Sequence, residues 1–461
     1  MGSISTPRLL SVSTTQAMGT IVGPSICIGL LRTAYGLADQ YWVGMLGSVE
    51  TIALGGCSYA TWIILVMCEL GEFGVQAISA FEEGAGRRER VARVVAQGFW
   101  VSIFVAVLLA LSAPMASLYF DVLGFDPMSP EYAAGLSYLF ASVVGALPLA
   151  LSGVMTAGLR GLGLFTPALV ITASTVLINT VLDPILIWGL GPFPALGVAG
   201  AAWGTTLSTV VGCSLSMRAL KAEGVEIRLV QPVLSAIRRI INVGSPMCIS
   251  GLLFSFVYLF IGRIANDLGA ANVAALGLSH RLEAVAYVIC EGFGVGAATL
   301  VGQWLGSQRP DAARRAANSA AIACACVMLP VGLLAGVFAE PLLSLFTSDA
   351  TILSSATRYL QINAAVFTLM GCEVVYDGAF AGSENTRAVL WVGATLNLLR
   401  LPAAYVLSLS MGIDGVWVAI ALTTAVKAVY KALCFFRQPL RGERERFRWQ
   451  WVPTPWELTK S

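Results

Sequence analysis

Apolar side chains run almost unbroken through twelve stretches of this chain. They lie at about 16–38, 52–78, 93–116, 132–158, 165–189, 195–217, 241–262, 272–302, 316–338, 357–381, 388–410 and 413–436. Most are near or above the roughly 20 residues that an α-helix needs to cross a bilayer. The runs are continuous rather than alternating, which selects helices over barrel strands. Helices also satisfy every backbone polar group inside lipid. The pattern predicts an all-α integral membrane protein of twelve transmembrane helices.

Composition agrees. Of 461 residues, 57% are hydrophobic and 12% charged, against about a quarter charged in soluble proteins. A net charge of +2 gives no sign of a nucleic-acid partner. The ten cysteines lie mostly inside apolar runs, the position of small buried hydrophobes rather than of a disulfide framework. No Gly-rich loop carries the lysine of a phosphate cradle, so no ATP site is expected. The amino terminus has no cleavable signal pattern. Met1-Gly2-Ser3-Ile4-Ser5-Thr6 matches the form of an N-myristoylation signal, which coincidence at a start codon also explains.

The polar connections set an orientation. Basic residues follow the even-numbered spans: Arg87, Arg88, Arg90 and Arg93, then Arg160, then Lys221, Arg228, Arg238 and Arg239, then Arg309, Arg314 and Arg315, then Arg387. Loops after odd-numbered spans carry acids such as Glu50, Asp121, Asp126, Glu131, Asp349 and Asp414. The positive-inside rule then puts both termini in the cytoplasm. The tail, Arg441 to Ser461, mixes arginine with Trp449, Trp451 and Trp456 and suits either the headgroup region or solvent.

The chain also repeats itself. Leu46-Gly47 recurs as Leu268-Gly269, Ala53-Leu54-Gly55 as Ala275-Leu276-Gly277, Cys68-Glu69 as Cys290-Glu291, Gly74 as Gly296 and Gly84 as Gly306. The offset is 222 throughout. The expected organisation is a first lobe at 1–218, a linker at 219–240, a second lobe at 241–437 and a tail at 438–461. Membrane proteins built from such repeats place their substrate where the repeats meet.

Against this background the acids inside spans stand out. A carboxylate at mid-membrane costs about 2.5–3.5 kcal/mol on insertion scales. Asp183 lies in Ile178-Asn-Thr-Val-Leu-Asp183-Pro184-Ile-Leu-Ile-Trp-Gly189. Asn179 is one turn before it on the same face. Pro184 removes a backbone donor, frees the carbonyl of Thr180 and predicts a kink. Asp39 lies in span one, four residues after Tyr35 and hence on its face. The repeat equivalents of Asp39 and Asp183 are Ile261 and Leu401, so only the first half carries both acids. Two carboxylates in one polar pocket can hold a proton or a small cation. The structural alternative leaves Asp39 at the outer interface and Asp183 paired with a helix dipole or an arginine.

Other charges have several readings. Arg32 is two turns before Asp39 and either pairs with it, snorkels, or meets another acid. Glu69 and Glu291 are equivalent in the repeat, which favours a structural pairing. Glu373 in span ten is a candidate contact for a cationic substrate, and Asp377 is expected to be capping or solvated. His280 reads as an interfacial residue.

Several segments together resemble the multidrug and toxic compound extrusion (MATE) transporters over essentially the whole chain. They are Asp39-Gln-Tyr-Trp-Val-Gly-Met-Leu-Gly47, Leu159-Arg-Gly-Leu-Gly163, Asn179-Thr-Val-Leu-Asp183-Pro184, Leu196-Gly-Val-Ala-Gly-Ala-Ala-Trp-Gly-Thr205 and Leu300-Val-Gly-Gln-Trp-Leu-Gly306. The resemblance implies two pseudo-symmetric six-helix lobes around a cavity that opens alternately to each side. It implies export of organic cations and other drugs in exchange for protons or sodium ions, with no other cofactor and no enzymatic step. Asp39 and Asp183 match the residues that take the coupling ion, with Asn179, Tyr35 and Thr205 as polar neighbours and Tyr138 nearby. A sodium ion would sit at Asp39, Asp183 and Asn179. Pro24 matches the proline at which span one bends. The C-lobe cation site of one branch is not matched, since Phe254-Ser255 and Met370 stand near those places, and Glu373 is its partial replacement. The pattern is closer to the DinF-like branch, from which Arg32 departs.

The expected protein is a multi-pass, monomeric antiporter of the cell membrane. Its cavity candidates are Tyr138, Glu373, Glu291, Glu69 and Arg32. The alternative is a related flippase for lipid-linked saccharides, which Arg32, Arg263 and Arg400 keep open. One histidine and no nucleophile–base pair speak against an intramembrane enzyme.

Overall fold

The computed structural model describes residues 8–440 apart from Leu229. The Met1–Thr6 pattern and the Arg441–Ser461 tail lie outside the described residues. Among the described residues fifteen α-helices follow one another. The first seven are α1 Thr14–Gly44, α2 Ser48–Gly84, α3 Arg88–Ser112, α4 Met115–Val122, α5 Pro130–Gly161, α6 Phe165–Trp188 and α7 Val198–Ala222. Then come α8 Leu234–Asp267, α9 Ala270–Gly306, α10 Pro310–Val337, α11 Ala339–Ser344, α12 Ala350–Ala364, α13 Phe367–Gly382, α14 Arg387–Met411 and α15 Ile413–Arg437.

Among the described residues, eleven helices are long and apolar enough to cross a membrane. The pair α12 and α13 is bent by 59° at its break and makes a twelfth when counted as one broken span. This broken span is where the sequence predicts one continuous run at 357–381. Gly332 of α10 receives the Ala364 backbone at the break.

The repeat extends to backbone angles. Gly47 and Gly269 have φ of 146° and 132°, and Gly197 and Gly412 have 56° and 60°. At two equivalent turns the second half lacks the glycine. Gly86 (69°) is matched by Gln308 (60°), and Gly163 (82°) by Glu384 (56°). The pairing of helices repeats too. In the first half α2 packs on α3 and α5, α5 on α7, and α6 on α7. In the second half α9 packs on α10 and α13, α13 on α15, and α14 on α15.

The chain divides into two compact units, but not at 219–240. Within the described residues one unit is 27–248 and the other comprises 8–26 and 249–440. The divisions fall inside α1 and α8, two residues after Pro24 and after Pro246, which are 222 residues apart. Local packing gives the reason. The start of α8 lies on α2: Ile240 fills the space left by Gly74, and Cys248 Sγ reaches the Val66 carbonyl at 3.2 Å. The start of α1 lies on α9 in the same way, with Ile21 against Gly296. Glycine lets these helices cross closely.

The linker is shorter than expected and is anchored. Only 223–233 is outside helices. Gln97 of α3 donates to the Gln231 carbonyl at 2.9 Å and accepts from the Val233 amide at 2.8 Å. Trp100 Nε1 donates to the Val230 carbonyl at 2.9 Å.

Candidate functional site

Residues 27–248 surround a cavity of about 530 Å³ bordered by α1, α2, α5, α6 and α7. Arg32, Tyr35 and Asp39 reach it from α1, Glu69 and Glu72 from α2, Tyr138 from α5, and Thr205 from α7. Asp39 is 8% exposed, whereas Asn179 and Asp183 are fully buried behind it.

The two acids meet, although they are far apart in sequence. The carboxyls of Asp39 and Asp183 lie within hydrogen-bonding reach of each other, and the Asn179 side chain reaches both. Asn179 Nδ2 donates to Asp183 Oδ1 at 2.9 Å, as their one-turn spacing on α6 predicts. Asp39 Oδ1, Asp183 Oδ2 and Asn179 Oδ1 are buried oxygens without a donor. Three acceptors left unpaired in the interior are costly, and a proton or a small cation would satisfy them. Gly204 of α7 faces Asp183 Oδ1 and leaves no room for a Cβ. Around the pair, the Tyr35 hydroxyl is 3.3 Å from Ser208 Oγ and also meets the Thr205 side chain. Tyr138 borders the same cavity as Tyr35 and Asp39. The five residues expected at the ion site therefore converge. Pro184 lies within a continuous α6, and Pro24 within a continuous α1.

Arg32 meets the acids of α2. Its Nη2 is 3.1 Å from Glu72 Oε1 and its Nη1 is 3.9 Å from Glu69 Oε1. Of the three readings, pairing with another acid is the one realised. Arg160 Nη2 holds the same Glu72 oxygen at 2.5 Å and its Nε donates to Gln76 at 3.1 Å. Arg160 is 5% exposed inside α5 and is therefore a buried ion-pair partner as well as a charge at the helix end. Glu72 escaped notice in the sequence, although it lies one turn from Glu69 on the same face of α2.

Glu373 and Glu291 do not border this cavity. Glu373 is held by Lys427 Nζ at 3.0 Å and Lys431 Nζ at 2.9 Å. Its charge is already paired within its own unit, which corrects its reading as a cation contact. Asp377 is likewise neither capping nor solvated, because Lys431 donates to it at 2.7 Å. Glu291 lies near Tyr287 in this region. The overlooked signal was the lysine pair, four apart inside an apolar run and hence on one helix face. His280 is flanked by Tyr258 and Tyr359, with ring centroids 4.6 and 5.7 Å away. Arg400 is buried, donates to Thr423 at 2.8 Å and stacks over Tyr258 at 5.3 Å. Among the described residues, no group of three or more His, Cys, Asp or Glu side chains is placed to hold a metal.

Repeated six-helix halves, with buried carboxylates behind a cavity, are the construction of a membrane transporter. A family model described as MatE matches residues 24–185 and again 246–406, so the chain belongs to the MatE family. The two matches start 222 residues apart, the offset of the repeat. The chain is 26% identical to the probable multidrug resistance protein NorM of Thermotoga maritima, over 89% of this chain and 90% of that protein. It is 28% identical to the protein of the same name from Bradyrhizobium diazoefficiens, over 89% and 91%. The fold is similar to a crystal structure of MATE in the straight conformation, with a TM-score of 0.86 over 96% of this chain and 99% of that one at 24% identity.

Proposed function

We propose that this protein is a multidrug efflux antiporter that exports organic cations and takes up a proton at Asp39 and Asp183. The carrying observation is that Asp39 Oδ1, Asp183 Oδ2 and Asn179 Oδ1 are all buried without a donor. An ionised carboxylate only accepts hydrogen bonds, and a proton on either acid would turn it into a donor to the other acceptors. The family and the relatives' names support export, and the three unpaired oxygens support an ion site at these residues. A sodium ion would use the same three unpaired oxygens, and it is the alternative the experiment separates.

In this reading the solute occupies the cavity while the acids are ionised. Proton entry turns one carboxyl into a donor, changes the hydrogen bonds among Asp39, Asn179 and Asp183, and removes negative charge from the wall. The cation is then released. Each charge moved down the membrane potential supplies about 2.3 kcal/mol per 100 mV, and about 1.4 kcal/mol sustains a tenfold gradient. The basic loops after even-numbered spans support a cell-membrane protein with both termini cytoplasmic.

The test is ethidium transport by purified protein in liposomes under a pH gradient, then under a sodium gradient, for wild type and Asp183→Asn. Transport driven by pH and lost in the variant is expected. Transport driven by sodium alone overturns proton coupling. A variant that matches wild type overturns the site.

A further inference from the structure

A serine or threonine hydroxyl has one proton to donate and two lone pairs to offer. When the proton goes to the carbonyl one turn earlier in the same helix, the oxygen can meet a ligand only as an acceptor. This is the state of most hydroxyls around the cavity. Thr61, Ser142, Thr156, Thr172, Thr175 and Thr209 all border it. Each donates to the carbonyl four residues back: Cys57 at 3.1 Å, Tyr138 at 2.8 Å, Ser152 at 2.9 Å, Ala168 at 3.0 Å, Ile171 at 2.9 Å and Thr205 at 2.9 Å. A carbonyl oxygen cannot donate, so the direction of these bonds is fixed. The Cys68 thiol on the same wall is committed in the same way, to the Ala146 carbonyl at 3.5 Å.

The charged groups add to this bias. The carboxylates of Asp39 and Glu69 border the cavity as further acceptors. The guanidinium of Arg32 is turned to Glu72 and Glu69. The Tyr35 hydroxyl faces Ser208. The wall therefore offers acceptors at many points, while the donors that also border it are the Gln40 amide, the Trp62 indole N–H and the Tyr138 hydroxyl.

We propose that this cavity selects organic cations bearing several N–H donors, such as alkyl diamines, polyamines and guanidines, over quaternary ammonium ions of the same charge and length. The proposal rests on the reading of the cavity as the solute site. It goes beyond a preference for positive charge, because both classes are cations. A primary ammonium loses more hydration than a quaternary one on entering a cavity, so a wall without acceptors would prefer the quaternary ion.

The experiment compares octane-diamine with its bis-trimethylammonium analogue as ligands of the purified full-length protein, by calorimetry. Each is then used as a competitor of ethidium export from proteoliposomes. Direct binding reads the wall even where export fails, so failure of the export reading is a separate result. The diamine is expected to bind roughly fivefold tighter or more. In the Thr156→Val, Thr175→Val, Thr209→Val triple variant this ratio falls toward one, and restoring serine at the three positions recovers it. Equal or tighter binding of the quaternary compound to wild type overturns the proposal, as does a ratio unchanged by the triple variant.

Discussion

Gly204 of α7 lies directly against the carboxylate of Asp183 on α6, and a Cβ there would overlap Asp183 Oδ1. The helix has no conformational need of glycine at this point; the close approach of the carboxylate requires it. Gly204→Ala is therefore expected to push Asp183 off Asn179 and to lower proton-driven export about tenfold, with a stability loss of about 1–3 kcal/mol from overpacking. Gly55 has open space around it, and Gly55→Ala should stay within about 0.5 kcal/mol of wild type. Export assays and thermal unfolding of the two variants decide this.

If Asp39 and Asp183 hold one proton between them, they act as a unit. Asp39→Asn and Asp183→Asn should each abolish most pH-driven export, and the double variant should be no worse than either single one. Losses that multiply in the double variant would show two independent sites.

Glu72 is the shared partner of Arg32 and Arg160. Glu72→Gln leaves the buried Arg160 without its carboxylate and is expected to cost about 3 kcal/mol. The side chain of Arg32 is 42% exposed, and Arg32→Ala should cost about 1 kcal/mol or less. Equal losses in thermal unfolding would contradict this ranking.

Gln308 holds a left-handed backbone at φ 60° where the first half has Gly86. A side chain in that conformation costs about 1–2 kcal/mol, partly offset in the unfolded chain by glycine's extra freedom. Gln308→Gly should stabilise by about 0.5–1 kcal/mol and Gly86→Ala should destabilise by a similar amount. A higher midpoint for the first and a lower one for the second are the expected denaturation results.

The 223–233 segment is fastened to α3 by both polar atoms of the Gln97 amide. Gln97→Ala removes two buried hydrogen bonds, about 1–3 kcal/mol locally. Faster proteolytic cutting at 223–233, with transport domains left intact, is the expected readout.

How much of this was legible beforehand varies by residue. Asn179 and Asp183 could be joined from spacing alone, because a helix fixes which residues share a face. Their approach to Asp39 and Thr205 came from the family resemblance, since helix contacts across 140 residues leave no local trace. Arg32 could not be assigned, because its long side chain had several acids in range and only the placement of α2 and α5 selects Glu72. Arg160 and the Lys427–Lys431 pair likewise take their partners from other helices, Glu72 on α2 and Glu373 on α13. A charge near a helix end reads as solvated until a partner from another helix covers it.

The sequence by itself determined the helical class, the twelve spans, the internal repeat and the intramembrane acids. These follow from local costs: apolar length, backbone satisfaction in lipid and the expense of a buried charge. Tertiary structure alone decided where the units divide, which acid each arginine meets, and that the cavity wall shows acceptors. Those outcomes depend on which helix faces touch, and every buried charge takes the partner that packing brings within a few ångströms.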